Sequence, residues 1–331
     1  MTDLAIAANG LRKSYRDKKG EKVVLDGIDL AVPEGTIFSL LGPNGAGKTT
    51  TVQILSTLTR ADAGEVRVAG FDLGRQADDV RGAIGVTGQY SAVDKLLTGE
   101  ENLLLMADLK HLPKAEGRRK AKELLEKFDL VDAAGKPAST YSGGMQRRLD
   151  LAMTLVGDPR LIFLDEPTTG LDPRSRRAMW GIVRDLVRSG VTIFLTTQYL
   201  EEADELADRI ALLDHGRLIA EGTAEELKRR IPGGHIKLRF GDPGRLDAAA
   251  LALGAGAPDP DTFTLQVPSD GSVRMIRDVL AVLDEHSIEI DEMSVHTPDL
   301  DDVFLTLTGR EAAPETGGTA GGTDDSKEAL R

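Results

Sequence analysis

The sequence contains no cysteine, which excludes disulfides, thiolate zinc sites, iron–sulfur clusters and cysteine nucleophiles and fits a cytosolic compartment. It also lacks any stretch near the 18 or more apolar residues that a membrane-spanning helix requires. Its longest apolar-dominated runs, Ile37–Leu41 and Val191–Leu195, are about five residues each and therefore strand-sized. The amino terminus, Met1-Thr2-Asp3, shows no basic stretch followed by an apolar one, so no secretory signal is expected. Positive charge is in deficit: 41 Lys and Arg stand against 54 Asp and Glu, for a formal charge of −13. Nucleic acid as the main partner, or a polybasic membrane anchor, would need clustered cations instead.

What is present describes a folded protein. Of 331 residues, 40% are hydrophobic and 29% charged, and at roughly 150 residues per domain the chain holds about two domains. Over the first 230 residues, short β-type runs alternate with longer helical ones, the pattern of an α/β protein with a largely parallel sheet. Ile37–Leu41, Leu161–Leu164 and Val191–Thr196 read as strands buried on both faces. Roughly residues 90–160 turn charged and Leu-rich, with an apolar stripe of Leu124, Leu125, Phe128 and Leu130 within Lys120–Leu130, and read as a helical subdomain inserted into the α/β core. A boundary is expected at Arg229-Arg230-Ile231-Pro232-Gly233-Gly234, where a helix meets Pro and Gly.

Beyond it, alternating runs at His235–Phe240 and Thr262–Val267, an amphipathic helix over Ser272–Glu285, a strand at Ile288–Val295 and a short helix at Asp299–Leu307 suggest a small α+β domain over residues 235–309. Residues 311–331, rich in Gly, Ala, Thr and acids, read as a disordered tail.

Gly42-Pro43-Asn44-Gly45-Ala46-Gly47-Lys48-Thr49 matches the P-loop pattern and lies between the strand 37–41 and an expected helix 49–58. Glycines let successive N–H groups close around phosphate oxygens, and the helix amino terminus adds a favourable dipole. Lys48 would reach the β- and γ-phosphates, the Thr49 hydroxyl would ligate Mg²⁺, and Thr50 beside it would belong to the nucleotide site. Leu161-Ile162-Phe163-Leu164-Asp165-Glu166 is an apolar strand ending in two acids. At such a strand end Asp165 can hold Mg²⁺ through water, and Glu166 can act as the general base for an attacking water. No acceptor-binding motif is evident, so hydrolysis is the expected reaction.

Tyr141-Ser142-Gly143-Gly144-Met145 lies just ahead of that strand. With the P-loop and the paired acids, it makes residues 4–230 resemble the nucleotide-binding subunit of an ATP-binding-cassette transporter. The resemblance implies that Tyr15 stacks on adenine, that Gln89 touches Mg²⁺ and reports to the membrane subunit, and that Ser142, Gly143 and Gly144 form the signature loop. It further implies that Asp172, in Gly170-Leu171-Asp172, crosses a dimer interface. In the family the signature caps the γ-phosphate held by the opposite protomer, so one P-loop and one signature per chain imply a second cassette, head-to-tail, in a homodimer.

Two positions depart from the family pattern. Met145 stands where the signature has Gln, and a thioether donates no hydrogen bond, so the loop relies on Ser142 and backbone N–H groups. Gln198, in Thr196-Thr197-Gln198-Tyr199, stands at the switch position that is normally His. It can position water or touch the γ-phosphate but cannot titrate near neutral pH. These departures, with Val86-Thr87-Gly88-Gln89-Tyr90 and Leu300-Asp301-Asp302-Val303-Phe304-Leu305, are similar to the daunorubicin/doxorubicin-resistance ATP-binding subunits.

The resemblance implies an ATPase that powers efflux of an antibiotic, another drug or a complex lipid. The path would lie in a separate integral-membrane permease docked on the 90–140 region, with this subunit peripheral at the cytoplasmic face of the cell membrane. An importer cassette with a regulatory carboxyl-terminal domain, and a soluble nucleotide switch on ribosomes or DNA, are alternatives. The latter calls for tandem cassettes, a long coiled-coil insertion or a basic face. The carboxyl-terminal domain could regulate, dimerise or stabilise. Arg147 and Arg148, after the signature, read as local helix and interface charges.

Overall fold

The computed structural model describes residues 3–17, 20–88, 92–231, 234–254 and 256–308. Its strands up to the central sheet's last member are β1 (Leu4–Asp17), β2 (Gly20–Pro33), β3 (Ile37–Leu41), β4 (Ala63–Val68), β5 (Phe71–Asp72), β6 (Ile84–Thr87), β7 (Leu161–Asp165), β8 (Thr192–Thr197), β9 (Arg209–Asp214) and β10 (Arg217–Gly222). The carboxyl-terminal strands are β11 (His235–Arg239), β12 (Ala257–Asp259), β13 (Thr264–Pro268) and β14 (Glu292–His296). The helices are α1 (Lys48–Leu55), α2 (Ala77–Ala83), α3 (Gly99–Leu109), α4 (Lys114–Lys127), α5 (Gly143–Thr154), α6 (Pro173–Arg188), α7 (Leu200–Leu206), α8 (Ala224–Lys228), α9 (Pro243–Leu253), α10 (Val273–Glu285) and α11 (Leu300–Thr308).

The central sheet runs β10-β9-β3-β8-β7-β6, with parallel pairing from β9 through to β6 and β10 antiparallel at one edge. In β3, β7 and β8 every residue is buried, because the pleat sends alternate side chains into two different cores. Ile37, Ile162, Leu164, Ile193 and Leu195 join one core with the helices α3 to α6. Phe38, Leu40, Leu161, Phe163 and Phe194 join the other, beneath the sheet β2-β1-β4-β5. There the rings of Phe38 and Phe194 stack at 5.7 Å, and Phe163 meets Phe194 at 5.6 Å. Two faces of burial explain why these strands read as continuous apolar runs.

The helical region starts with a capping box at Thr98 and Glu101, which sets the start of α3. The expected stripe of Leu124, Leu125, Phe128 and Leu130 is buried in the helical-side core. The helix itself stops at Lys127, short of residue 130. Asp129 takes φ 53°, and the N–H groups of Asp129 and Leu130 return to the carbonyls of Glu126 and Leu125, a left-handed helix end. The same device ends α1 at Leu55 rather than 58: Thr57 takes φ 66°, with Thr57 N–H on Ile54 O and Leu58 N–H on Gln53 O.

After residue 234 a sheet β12-β13-β11-β14 with α9 and α10 encloses its own core of Ile236, Leu238, Phe240, Leu246, Leu265, Val267, Val279 and Leu283. The strand expected over Ile288–Val295 is shorter, limited to β14. The last helix, α11, does not join this core: Leu300 and Val303 pack with Leu41, Ala203, Ile210, Leu212 and Leu227, against α7 and α8. The tail expected over 311–331 lies outside the described residues.

Candidate active site

Gly42 through Gly47 cross from the end of β3 to α1. A Cβ on Gly42 would collide with the carbonyl of Leu213 on β9, and one on Gly47 would come within 2.6 Å of Leu25 Cδ2 on β2. Gly47 also holds φ 116° at the helix start, a conformation open to glycine at little cost. Pro43 O accepts from Ala46 N–H at 3.2 Å, which closes the loop, while Asn44 and Gly45 stand exposed. No side chain among the described residues caps α1, so the N–H groups of Lys48, Thr49 and Thr50 face outward without intrahelical partners. Such a helix start attracts anions.

Lys48 is nearly buried, its Nζ donating to Gly42 O at 2.7 Å and Pro43 O at 3.3 Å and lying 3.6 Å from Glu166 Oε1. Burial pulls the Lys48 ammonium below its ordinary pKa, opposed by the charges of Glu166 and Asp165. Asp165, at the end of β7, is buried. Its Oδ1 accepts from the Thr196 hydroxyl on β8 and lies 3.5 Å from Thr49 Oγ1. Glu166 follows at φ 49°, in the left-handed region that non-glycine residues rarely occupy. Its N–H donates to Thr196 O at 3.0 Å, and its Oε2 accepts from Thr169 Oγ1 at 3.4 Å. Lys48, Thr49, Asp165 and Glu166 therefore meet at the carboxyl ends of β3 and β7, bridged by β8. Gln198 follows β8 at this same end of the sheet, half-buried, its amide without a hydrogen-bond partner among the described residues.

Other expected site residues stand elsewhere. Ser142 caps α5, accepting from Met145 N–H at 3.3 Å, and Ser142 and Gly143 are exposed. A Cβ on Gly144 would come within 2.8 Å of Ser175 Oγ, so α5 begins against the start of α6. Asp172 is the cap of α6, accepting from Arg174 and Ser175 N–H at 3.0 Å and from Ser175 Oγ at 2.6 Å. The Ser175 hydroxyl leads the contacts that hold its carboxyl below the usual range. Tyr15 is 43% exposed on β1, with Lys13 Nζ 5.2 Å from its ring centre. Lys13 also pairs with Asp62 at 2.8 Å, which with Ser14 brings the Asp62 carboxyl down to about 2. Gln89 lies outside the described residues.

Sequence reasoning missed four side chains. Gln146 beside Met145 donates through Nε2 to Tyr141 O at 3.1 Å and Ala138 O at 3.4 Å, so the signature loop has more than Ser142 to hold it. Thr196, a hydroxyl inside an apolar strand, was a visible signal. Glu202 on α7 is fully buried, accepting from Thr168 Oγ1 at 2.8 Å and Trp180 Nε1 at 3.1 Å. Arg147, read as a local charge, bonds to three carbonyls on two segments outside its own helix: Gly88 on one, Asp165 and Pro167 on the other.

The ABC transporter family model matches residues 25–169. The daunorubicin resistance ATP-binding protein DrrA3 of Streptomyces coeruleorubidus is 50% identical over 311 residues, covering 93% of this chain and 97% of that one. The doxorubicin resistance ATP-binding protein DrrA of Mycobacterium tuberculosis is 48% identical over 313 residues, covering 92% and 94%. A dimeric ATP-binding cassette in a post-hydrolysis state, bound to ADP and phosphate, superposes with a TM-score of 0.60 at 27% identity, over 66% of this chain and 98% of that one. The chain belongs to the daunorubicin/doxorubicin-resistance family of ATP-binding-cassette proteins: it is a nucleotide-binding ATPase subunit of an exporter. No helix among the described residues is long and apolar enough to cross a membrane.

Proposed function

We propose that the chain hydrolyses ATP at its P-loop, with Glu166 as general base, to drive efflux of an antibiotic, another drug or a complex lipid through a separate membrane permease. The observation that carries this reading is the approach of Lys48 Nζ to Glu166 Oε1, 3.6 Å, in a nearly buried site beside Asp165. Lys48 leaves the carbonyls of Gly42 and Pro43 for the β- and γ-phosphates, and the open amides of α1 take the remaining phosphate charge. Glu166 is thereby released from its ion pair to accept the proton of the attacking water. Gln198 orients that water or the γ-phosphate through its amide, and Tyr15 stacks on adenine.

The residues present fit Mg²⁺. Thr49 Oγ1 and Asp165 Oδ1 face one another at 3.5 Å, hard oxygen donors of the kind this ion takes, with Gln89 as a further contact. When bound, Mg²⁺ offsets the charge on the β- and γ-phosphates.

Ser142, Gly143, Gly144 and Asp172 act on the nucleotide of a second cassette, in a head-to-tail homodimer. The exposure of Ser142, Gly143 and Asp172 supports this. Residues 4–230 form the ATP-binding unit and residues 235–309 a second unit whose last helix docks on it. The permease meets the surface of the helical region at Leu96, Leu105 and Leu109, exposed apolar side chains of the kind that mark contact sites. The subunit then sits at the cytoplasmic face of the membrane.

The test is recovery of tagged Glu166→Gln chain from its native membranes in mild detergent with MgATP. A polytopic membrane protein at near-equal stoichiometry is expected; recovery in the soluble fraction alone would overturn the export reading.

A further inference from the structure

Glu166 holds a left-handed backbone conformation, φ 49°, that an ordinary residue keeps when its surroundings over-determine it. Its own peptide groups supply two restraints: its N–H donates to Thr196 O, and its carbonyl accepts from Thr169 N–H at 3.3 Å. The carbonyls on either side of it are held by a single guanidinium. Arg147 Nη2 donates to Asp165 O at 3.2 Å, and Arg147 Nε donates to Pro167 O at 2.8 Å. A planar fork with fixed donor directions sets both peptides at once, which a flexible ammonium cannot do.

The same fork reaches a second segment. Arg147 Nη1 donates to Gly88 O at 3.0 Å, at the end of β6, and pairs with Asp150 Oδ2 at 3.2 Å. Asp150 in turn accepts from Ala92 N–H at 3.0 Å. Both side chains are almost fully withdrawn from solvent, 11% and 3% exposed. Arg147 lies on α5, five residues after Ser142, so a displacement of the signature helix carries with it the peptides that flank Glu166.

We propose that Arg147 is a positioning residue for Glu166, clamping the turn that aims the carboxylate and tying that turn to the signature helix. This rests on the reading of Glu166 as general base. Asp150 holds the guanidinium in the plane that serves all three carbonyls. The clamp acts through backbone carbonyls, and its effect falls on the hydrolytic step alone.

Full-length Arg147→Lys and Asp150→Asn chains, with Glu166→Gln beside them, test this through kcat and the ATP dissociation constant measured separately. Lys keeps the charge next to Asp150 but cannot span Asp165 O and Pro167 O. The expected result for Arg147→Lys is a kcat about 10²-fold lower, the scale on which misplacing a reacting group acts, with ATP affinity within about twofold of the native chain. Asp150→Asn keeps the fork and is expected to lower kcat less than tenfold. A native kcat in Arg147→Lys, a fall in ATP affinity that matches the fall in kcat, or an equal loss in Asp150→Asn would each overturn the clamp. Hydrolysis retained in Glu166→Gln would defeat the general-base reading itself. Hydrolysis lost there, beside a native kcat in Arg147→Lys, would defeat only the role of Arg147.

Discussion

The Thr196 hydroxyl donates to Asp165 Oδ1, the same carboxylate oxygen that faces Thr49 Oγ1 at 3.5 Å. Because β8 lies between β3 and β7 in the sheet, one hydroxyl aligns the acid of one strand with the helix that follows another. Groups that orient a metal-binding carboxylate typically govern affinity by 10–100-fold. Thr196→Val keeps the branched shape and removes the donor. The Mg²⁺ concentration for half-maximal hydrolysis should rise about tenfold, with a stability loss of about 1 kcal/mol, read by metal titration and urea unfolding. An unchanged Mg²⁺ midpoint would show that Asp165 is aligned without Thr196.

Lys48 Nζ donates to the carbonyls of Gly42 and Pro43, and it is proposed to exchange them for phosphate oxygens when nucleotide binds. Lys48→Ala should therefore weaken ATP binding by about 10–100-fold, the scale of a lost charge-assisted hydrogen bond. A fluorescent-nucleotide titration measures it, and a native binding curve would remove Lys48 from phosphate recognition.

Gln198 is proposed to position rather than to titrate, since an amide does not ionise near neutral pH. Gln198→His is expected to retain or raise hydrolysis, because imidazole can supply the same hydrogen bond. Complete loss of turnover in a folded variant, checked by circular dichroism, would assign the amide a task that imidazole cannot perform.

Burial pushes the Glu202 carboxyl above its ordinary value of 4.5, opposed by the hydroxyls of Thr197 and Thr168 and by the Trp180 indole. The folded chain thus holds this proton more tightly than the unfolded one. Stability from this group falls as pH rises from about 4.5 through the raised folded pKa, and then levels. Glu202→Gln lacks that loss, so the difference in unfolding free energy should move in favour of the variant with rising pH. Urea unfolding of both chains between about pH 4.5 and 7.5 gives the difference, and a constant value would contradict the buried-acid account.

Much of this was legible in the sequence because the chemistry is local. Gly42–Thr49 sits on contiguous residues between a strand and a helix, and β3 and β7 announce themselves as apolar runs through burial on two faces. The helix ends were less legible. α1 and α4 stop at left-handed residues, Thr57 and Asp129, that are not glycine and give no punctuation. Long-range pairings were illegible for a different reason. Arg147 finds carbonyls 18, 20 and 59 positions away in the chain, and an acceptor carbonyl leaves no trace in residue type. Likewise, α11 carries an amphipathic pattern that fits either neighbouring core, and tertiary packing sends Leu300 and Val303 to the cassette side.

The central claim is that Glu166 activates water in a site completed by a second copy of the chain. The most direct measurement is light scattering of purified Glu166→Gln with saturating MgATP, with phosphate release followed in the same samples. The account predicts a mass that doubles with ATP, falls back with ADP, and little phosphate released. A monomer mass with ATP bound, or phosphate release at the native rate, would contradict it.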